Sequence, residues 1–314
     1  MSEPKNQHYL PQFYLSGFTS PVAQGQLHVF RNGHEYWTRC GTKNVASKEF
    51  LHSFRDAEGN FNHSLETMFS ELESHFSPVL KKVLEKQPLT MDERMMFSVF
   101  VLVMQMRVPA QVEHWNKQFS KISQMILHVI HAGLVRYPEA FDELKRQMHE
   151  TGATNFGKIR PEDWDPSRVQ VTANPHATMM ALMQGAVEIA EELFRMGWVF
   201  LVSEAPDYFI TSDNPVCMHD PTNTSRFYGT GFRHENVEIT MPLSRAVALV
   251  VGWKNIGWRY QSASREFVEQ INMRTGLFAE RELIAPQKFF PGSRRSLAHF
   301  YPGTSQKMGV QSAK

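Results

Sequence analysis

The hydrophobic period of this chain changes twice, and that switch restricts it to folds that keep strands and helices in separate blocks. Near the start, Gln26-Leu27-His28-Val29-Phe30-Arg31 and His34-Glu35-Tyr36-Trp37 alternate around Asn32-Gly33. Alternation is the period of a half-buried strand, and Asn-Gly accepts the positive φ of a tight two-residue hairpin. From about residue 62 the period becomes helical: Leu65, Met68, Phe69, Leu72, Phe76, Val79, Leu80 and Val83 recur at i, i+3, i+4 and i+7. After Gly197 the alternation returns.

Local signals place the element boundaries. Pro11 opens a short helix that Gly17 ends. Thr90, with Glu93 three residues on, reads as a capping box for a helix over 91–107, and Pro78 should kink the helix before it. Further helices are expected over 113–134, 138–150 and 175–196, with a loop over 151–171. Beyond Gly197, residues 198–203 and 208–211 should form a second hairpin around Glu204-Ala205-Pro206-Asp207. Residues 237–241 and 246–252 should form a third, with a helix over 264–282. The expectation is an α+β fold in which a helical block packs against an antiparallel sheet built from the N-terminal hairpin and the C-terminal strands. It would be a single α+β domain over residues 1–291, with the helical block about 62–196 inserted between the strand regions. Residues 292–314 would form a loosely ordered tail.

Composition narrows the functional classes. Lys plus Arg number 33 and Asp plus Glu 32, so no global field attracts nucleic acid or an anionic membrane. Cys40 and Cys217 form no CxxC pattern, which argues against a disulfide framework and for a reducing, cytoplasmic compartment. The longest apolar run, residues 95–104, is about half of the roughly 20 residues a membrane span needs, and reads as a buried helix. No phosphate loop, dinucleotide fingerprint, nucleophile elbow or zincin helix is present. Gly229-Thr230-Gly231 is followed by Phe-Arg-His and lies in a loop, so it is weak evidence of a phosphate site. His128 and His131 share a helix face without a third metal ligand near in sequence. Arg107 and His114 fit the loose spacing of HEPN ribonucleases, but 19 Arg and 14 His supply such spacings by chance and Pro109 interrupts the helix.

Polar residues in apolar surroundings carry more information. Phe69, Glu73, Phe76 and Leu80 fall on one helix face, so Glu73 sits in an apolar seam, where a carboxylate is costly unless paired. Arg107 ends the apolar helix over 91–107, where a cation suits the helix dipole and can reach that anion. Ser212-Asp213-Asn214-Pro215 follows an apolar strand and suits an Asx-type turn, which would also present Asp213 at a sheet edge. His8 precedes a helix start, an environment that favours the neutral imidazole. Two interpretations fit these residues. Glu73 and Arg107 could be a structural ion pair, Asp213 a turn residue and His8 a satisfied polar group, or the four could share a site.

At these positions the chain resembles the family of domain of unknown function 4238, found largely in bacteria. The resemblance rests on His8-Tyr-Leu-Pro11-Gln-Phe-Tyr-Leu15-x-x-Phe18, Glu73, Gln105-Met-Arg107-Val-Pro109, Phe209-Ile-Thr-Ser212-Asp213-Asn214-Pro215 and Met241-Pro242-Leu243-Ser244. A closing helix with Asn272 and Ala279 completes it, over roughly residues 7 to 285. Val108 stands where the family often has Thr. The resemblance implies an α+β fold, supplies no established activity, and adds Ser212, Asn214 and Asn272 to the candidate site. Three functions follow as expectations. The first is a hydrolase, with phosphodiester-cleaving nuclease as its specific form, with His8 as general acid or base, Arg107 stabilising an oxyanion or phosphate, Glu73 orienting Arg107, and Asp213 positioning water or holding a divalent ion with Glu73. The second is a non-catalytic module that binds a nucleotide, nucleic acid or protein partner through the same polar pocket, with no membrane role. In the third, the polar set only specifies the fold.

Overall fold

The computed structural model describes residues 6–20, 25–49, 51, 54–55, 61–150, 160–222 and 231–300. The first segment forms strand β1 (Asn6–His8) and helix α1 (Gln12–Ser16). Strands β2 (Leu27–Arg31), β3 (Trp37–Cys40), β4 (Ser47–Glu49), β5 (Phe54–Arg55) and β6 (Phe61–Asn62) follow. The helical block comprises α2 (Ser64–Leu84), α3 (Met91–Met106), α4 (Pro109–Arg136), α5 (Pro138–Glu150) and α6 (Pro175–Arg195). Then come β7 (Gly197–Val202), β8 (Thr211–Ser212), β9 (Cys217–His219), β10 (Glu238–Pro242), β11 (Val247–Gly252) and β12 (Trp258–Ser262). The chain continues through α7 (Arg265–Phe278), β13 (Glu282–Ala285) and α8 (Ser293–Phe300). Its internal contacts divide it into two compact units, Met1–Gln111 with Met180–Lys314, and Val112–Met179.

The α+β class holds, but the first unit has two main sheets rather than one. One sheet has the order β3-β2-β13-β8, so the N-terminal hairpin does join C-terminal strands, with Val29 opposite Ile284. The other has the order β12-β7-β11-β10-β9, and its β12–β7 pair is parallel. β7 is buried on both faces, as its apolar run Trp198-Val-Phe-Leu201 requires. Trp198 and Phe200 meet Phe97 of α3, at ring distances of 5.7 and 6.4 Å, while Val199 and Leu201 pack with Val268 and Ile271 of α7. Period-two alternation thus places one helix on each side of the strand. The capping box at Thr90 and Glu93 starts α3, and Arg94 in its first turn donates to the carbonyls of Phe194 and Met196 at the end of α6.

Several local expectations change. Asn32-Gly33 does not make a two-residue hairpin: Phe30 pairs with Trp37, leaving a longer loop. Gly33, at φ +81°, instead occupies the third position of a turn closed by His34 N–H on the Arg31 carbonyl. The Asn32 N–H is held by the Arg281 carbonyl, so β13 sets the end of the strand. The second hairpin is absent, because β7 pairs with β11 and β12 whereas β8 pairs with β13. The helix expected over 264–282 ends at Phe278, and Glu282 belongs to β13. Residues 293–300, assigned from sequence to a loose tail, form α8, whose Ser296 and Leu297 are buried. The close approach depends on Gly276, since a Cβ there would lie 2.6 Å from that of Ser296. Residues 151–159, Gly229, Thr230 and residues 301–314 lie outside the described residues.

In the second unit a column of polar side chains on α4 holds the segment over 161–178. Asn116 accepts from the Thr178 hydroxyl, Ser120 from the Ala173 N–H and Gln124 from the Val171 N–H. The His131 Nε2 lies 2.8 Å from the Pro161 carbonyl and 3.0 Å from that of Trp164. That nitrogen is engaged in holding backbone. Among the described residues no group of three or more His, Cys, Asp or Glu is arranged to hold a metal ion, and no single helix is long and apolar enough to cross a membrane.

Candidate functional site

Arg107 lies at the C-terminal cap of α3, where the helix presents unpaired carbonyls, and its side chain is only 2% exposed. Its Nη1 donates to Glu73 Oε1 at 2.8 Å and its Nη2 to the His8 carbonyl at 2.6 Å. The guanidinium carbon stands 4.4 Å from the centre of the Phe69 ring, and Nε has no hydrogen-bond partner. Burial lowers the Arg107 pKa, and the Glu73 carboxylate opposes that shift by favouring the charged form. The face shared by Phe69, Glu73 and Phe76 therefore acts as expected from the sequence: it offers one anion to one buried cation. Glu73 remains 28% exposed.

The His8 ring takes no part in that contact. Its backbone carbonyl meets Arg107, while Nε2 lies 3.2 Å from the Lys43 carbonyl. A carbonyl can only accept, so this bond places the proton on Nε2 and leaves Nδ1 as the basic nitrogen. The strand pairing of Gln7 with Lys48 fixes the backbone here. Tyr9, the next residue, is buried, and burial together with the Asp213 and Glu282 carboxylates pushes its phenol above its ordinary value of 10.0.

Asp213 belongs to a second cluster, and no hydrogen bond or ion pair joins it to His8, Glu73 or Arg107. Its two carboxylate oxygens accept the N–H groups of Glu280 and Arg281 at 2.9 and 2.8 Å. Ser212 accepts the Asn214 N–H and donates to the Asn214 carbonyl, and Asn214 donates to the Phe278 carbonyl. The Asn214 Oδ1 is buried without a partner. Asn272 accepts from Ile210 N–H and donates to the carbonyls of Tyr208 and Pro291. Together these side chains pin β8 and the approach to it against α7 and the α7–β13 turn. Burial raises the Asp213 pKa to about 6, against the opposing pull of the backbone N–H bonds from Glu280, Arg281 and Glu282.

The opening motif meets the others through Tyr14, whose hydroxyl donates to the Pro242 carbonyl at 2.8 Å and receives the Thr211 hydroxyl at 2.6 Å. The family described as "Protein of unknown function (DUF4238)" matches residues 6–289 of the 314-residue chain. The chain belongs to that family. No curated protein and no solved structure matches it. In this DUF4238 chain, motif segments far apart in sequence come together as side chains bonded to backbone.

A cleft lies elsewhere in the first unit. It measures about 480 Å³ and is bordered by Pro206 to Tyr208, the first turns of α7 and α8, and residues 287–291. Arg265 is engaged there by Glu269 at 3.4 Å and Asp207 at 4.0 Å. Arg294 and Arg295 are exposed and have no carboxylate partner among the described residues, and Phe289 is 67% exposed. Tyr208 donates to the Phe289 carbonyl, and burial pushes its phenol up to about 12. Assigning residues 292–314 to a tail hid this region. The cue was Pro291-Gly292-Ser293, turn and helix-start chemistry ahead of Leu297.

Two predictions follow from these contacts. Arg107→Ala should cost about 3–5 kcal/mol in urea unfolding, the range for breaking a buried ion pair, whereas Glu73→Gln, which keeps an acceptor, should cost less. Asp213→Asn should cost roughly 1–3 kcal/mol, because a buried N–H loses its acceptor. The folded-state pKa of Asp213, about 6, is above its ordinary 3.8, so the stability linked to its proton is full below about pH 3.8 and lost as pH rises through 6. The gap between wild type and Asp213→Asn, measured by urea unfolding across that window, should therefore narrow as pH increases.

Proposed function

We propose that this protein is a non-catalytic binding module that captures a nucleotide-class ligand, an anion carrying a planar ring, in the cleft between α7 and α8. The observation that carries this reading is the pair of exposed arginines, Arg294 and Arg295, which have no carboxylate partner among the described residues, beside the exposed ring of Phe289. Guanidinium groups bind phosphate bidentately, and an aromatic face offers stacking to a base. The volume falls within the roughly 300–1,000 Å³ of small-molecule sites. Arg265, already shared by Glu269 and Asp207, would shape the wall more than bind the anion. The bonds that occupy both Asp213 oxygens leave little capacity for positioning water, which favours binding over chemistry at the polar set.

One arrangement favours the hydrolase reading, including phosphodiester cleavage. The His8 ring and Glu73 are both partly exposed, with Arg107 bonded to each of the two residues. His8 Nδ1 would serve as the base, and Arg107 would act by positioning Glu73.

Titrating nucleoside mono- and triphosphates by calorimetry, with inorganic phosphate as a control, tests the first reading. A nucleotide should bind, and Arg294→Ala with Arg295→Ala should weaken it about tenfold or more, near 1.4 kcal/mol. Binding that these changes leave intact, or no binding by any nucleotide, would refute it. For the second reading, His8→Ala should reduce turnover of a phosphodiester substrate by roughly 10²-fold or more; unchanged turnover would remove His8 from any mechanism.

A further inference from the structure

We infer that the outer face of α4 is a self-association surface, covered in solution by α4 of a second copy of this chain. α4 exposes a charged face of Glu113, Lys117, Lys121 and His128, as a surface helix should, but it exposes a second, apolar face beside it. Its polar residues Asn116, Ser120, Gln124 and His131 are directed to their own unit, holding residues 161–178 by hydrogen bonds. Five of its apolar residues are directed outward: Ile122, Met125, Ile126, Val129 and Ile130 are all at least half exposed, Val129 at 72%. None of the described side chains of this 28-residue helix is buried. A helix that spends some of its polar side chains internally and leaves an apolar stripe exposed is built to be covered from outside.

The spacing identifies what covers it. Trp115, Phe119, Ile122, Ile126, Val129 and Gly133 alternate at intervals of four and three residues, the 3.5-residue period of a two-helix seam. The Trp115 and Phe119 rings lie 6.1 Å apart along it. The positions flanking the seam are Asn116, Gln118, Ser123, Met125, Ile130 and Ala132, none of them charged. An identical helix therefore meets no like charge, and a partner selected by charge finds nothing to select. Gly133 leaves a gap that admits close backbone approach. Trp115, Ile122, Met125, Ile126, Val129 and Ile130 are between 40% and 72% exposed, an apolar surface of the kind that marks an interaction site. A two-fold axis through the seam would place the same residues on both sides.

Sedimentation of the full chain over roughly 1–100 μM tests this, since mass action makes a dimer visible in that range. The wild type should sediment as a dimer, and Ile126→Glu with Val129→Glu as a monomer with unchanged helical circular dichroism. A second variant guards against misfolding: Val129→Cys in a Cys40→Ser background should cross-link chain to chain with a short bismaleimide, while Glu139→Cys should not. A monomeric wild type, a dimer that the two glutamates leave intact, or absence of the Val129→Cys cross-link would overturn the inference. So would a monomer that binds neutral phosphatidylcholine vesicles through this face, which would assign it to lipid.

Discussion

A guanidinium sealed from water must find its acceptors within the protein, and Arg107 finds them on two segments remote from its own helix. One is Glu73 of α2 and the other is the His8 carbonyl at the start of the chain. Because the charge cannot be left uncompensated without a cost of several kcal/mol, α2, α3 and β1 are committed to one arrangement. The Phe69 ring beneath the guanidinium adds cation–π attraction and excludes water from the pair. The Nε donor, buried and unpartnered, is a cost this arrangement carries.

The same logic extends through the motif segments. Asp213 accepts two N–H groups of the α7–β13 turn, Asn272 satisfies both ends of its amide on backbone, and Tyr14 spans from α1 to β8 and β10. These bonds are made in buried or partly buried settings, where an unmatched backbone group would be expensive. Such residues tolerate little change for reasons independent of any ligand. In a family without an assigned activity, the most recognisable short motifs supply bonds that hold the fold, and two arginines without a carboxylate partner among the described residues border the cleft at the α7–α8 corner.

What could be read in the sequence was set by periodicity and local chemistry. The helical block, the capping box at Thr90 and the β10–β11 hairpin are dictated by neighbours within a few residues, and each formed where expected. The pairing of Glu73 with Arg107 was legible because two ionisable residues in apolar seams each require a partner. Strand partners were not legible. Proximity in sequence suggested that β7 would pair with the segment after Asp207, but β7 is buried on both faces and takes a parallel partner, β12, from about sixty residues later. The roles of Asp213, Asn214 and Asn272 depend on backbone atoms brought close only by the tertiary fold, which no spacing rule encodes. α8 escaped notice because a short helix of small and polar residues is defined mainly by its packing on Gly276 and Asn272.

The pairing of β2 with β13 has a consequence for the order of events in the cell. Arg31 and Glu282, joined across these strands, are 251 residues apart in sequence. At a synthesis rate of about 5–20 residues per second, the N-terminal hairpin waits roughly 12–50 s on the ribosome for its neighbour to be made. Through that interval Leu27, Val29 and Phe30 have only β3 beside them, and the other edge of β2 is an open template for any passing strand. Until β13 has been made, that edge of β2 stays open to mispairing, and closing it is a late step in the folding of this unit.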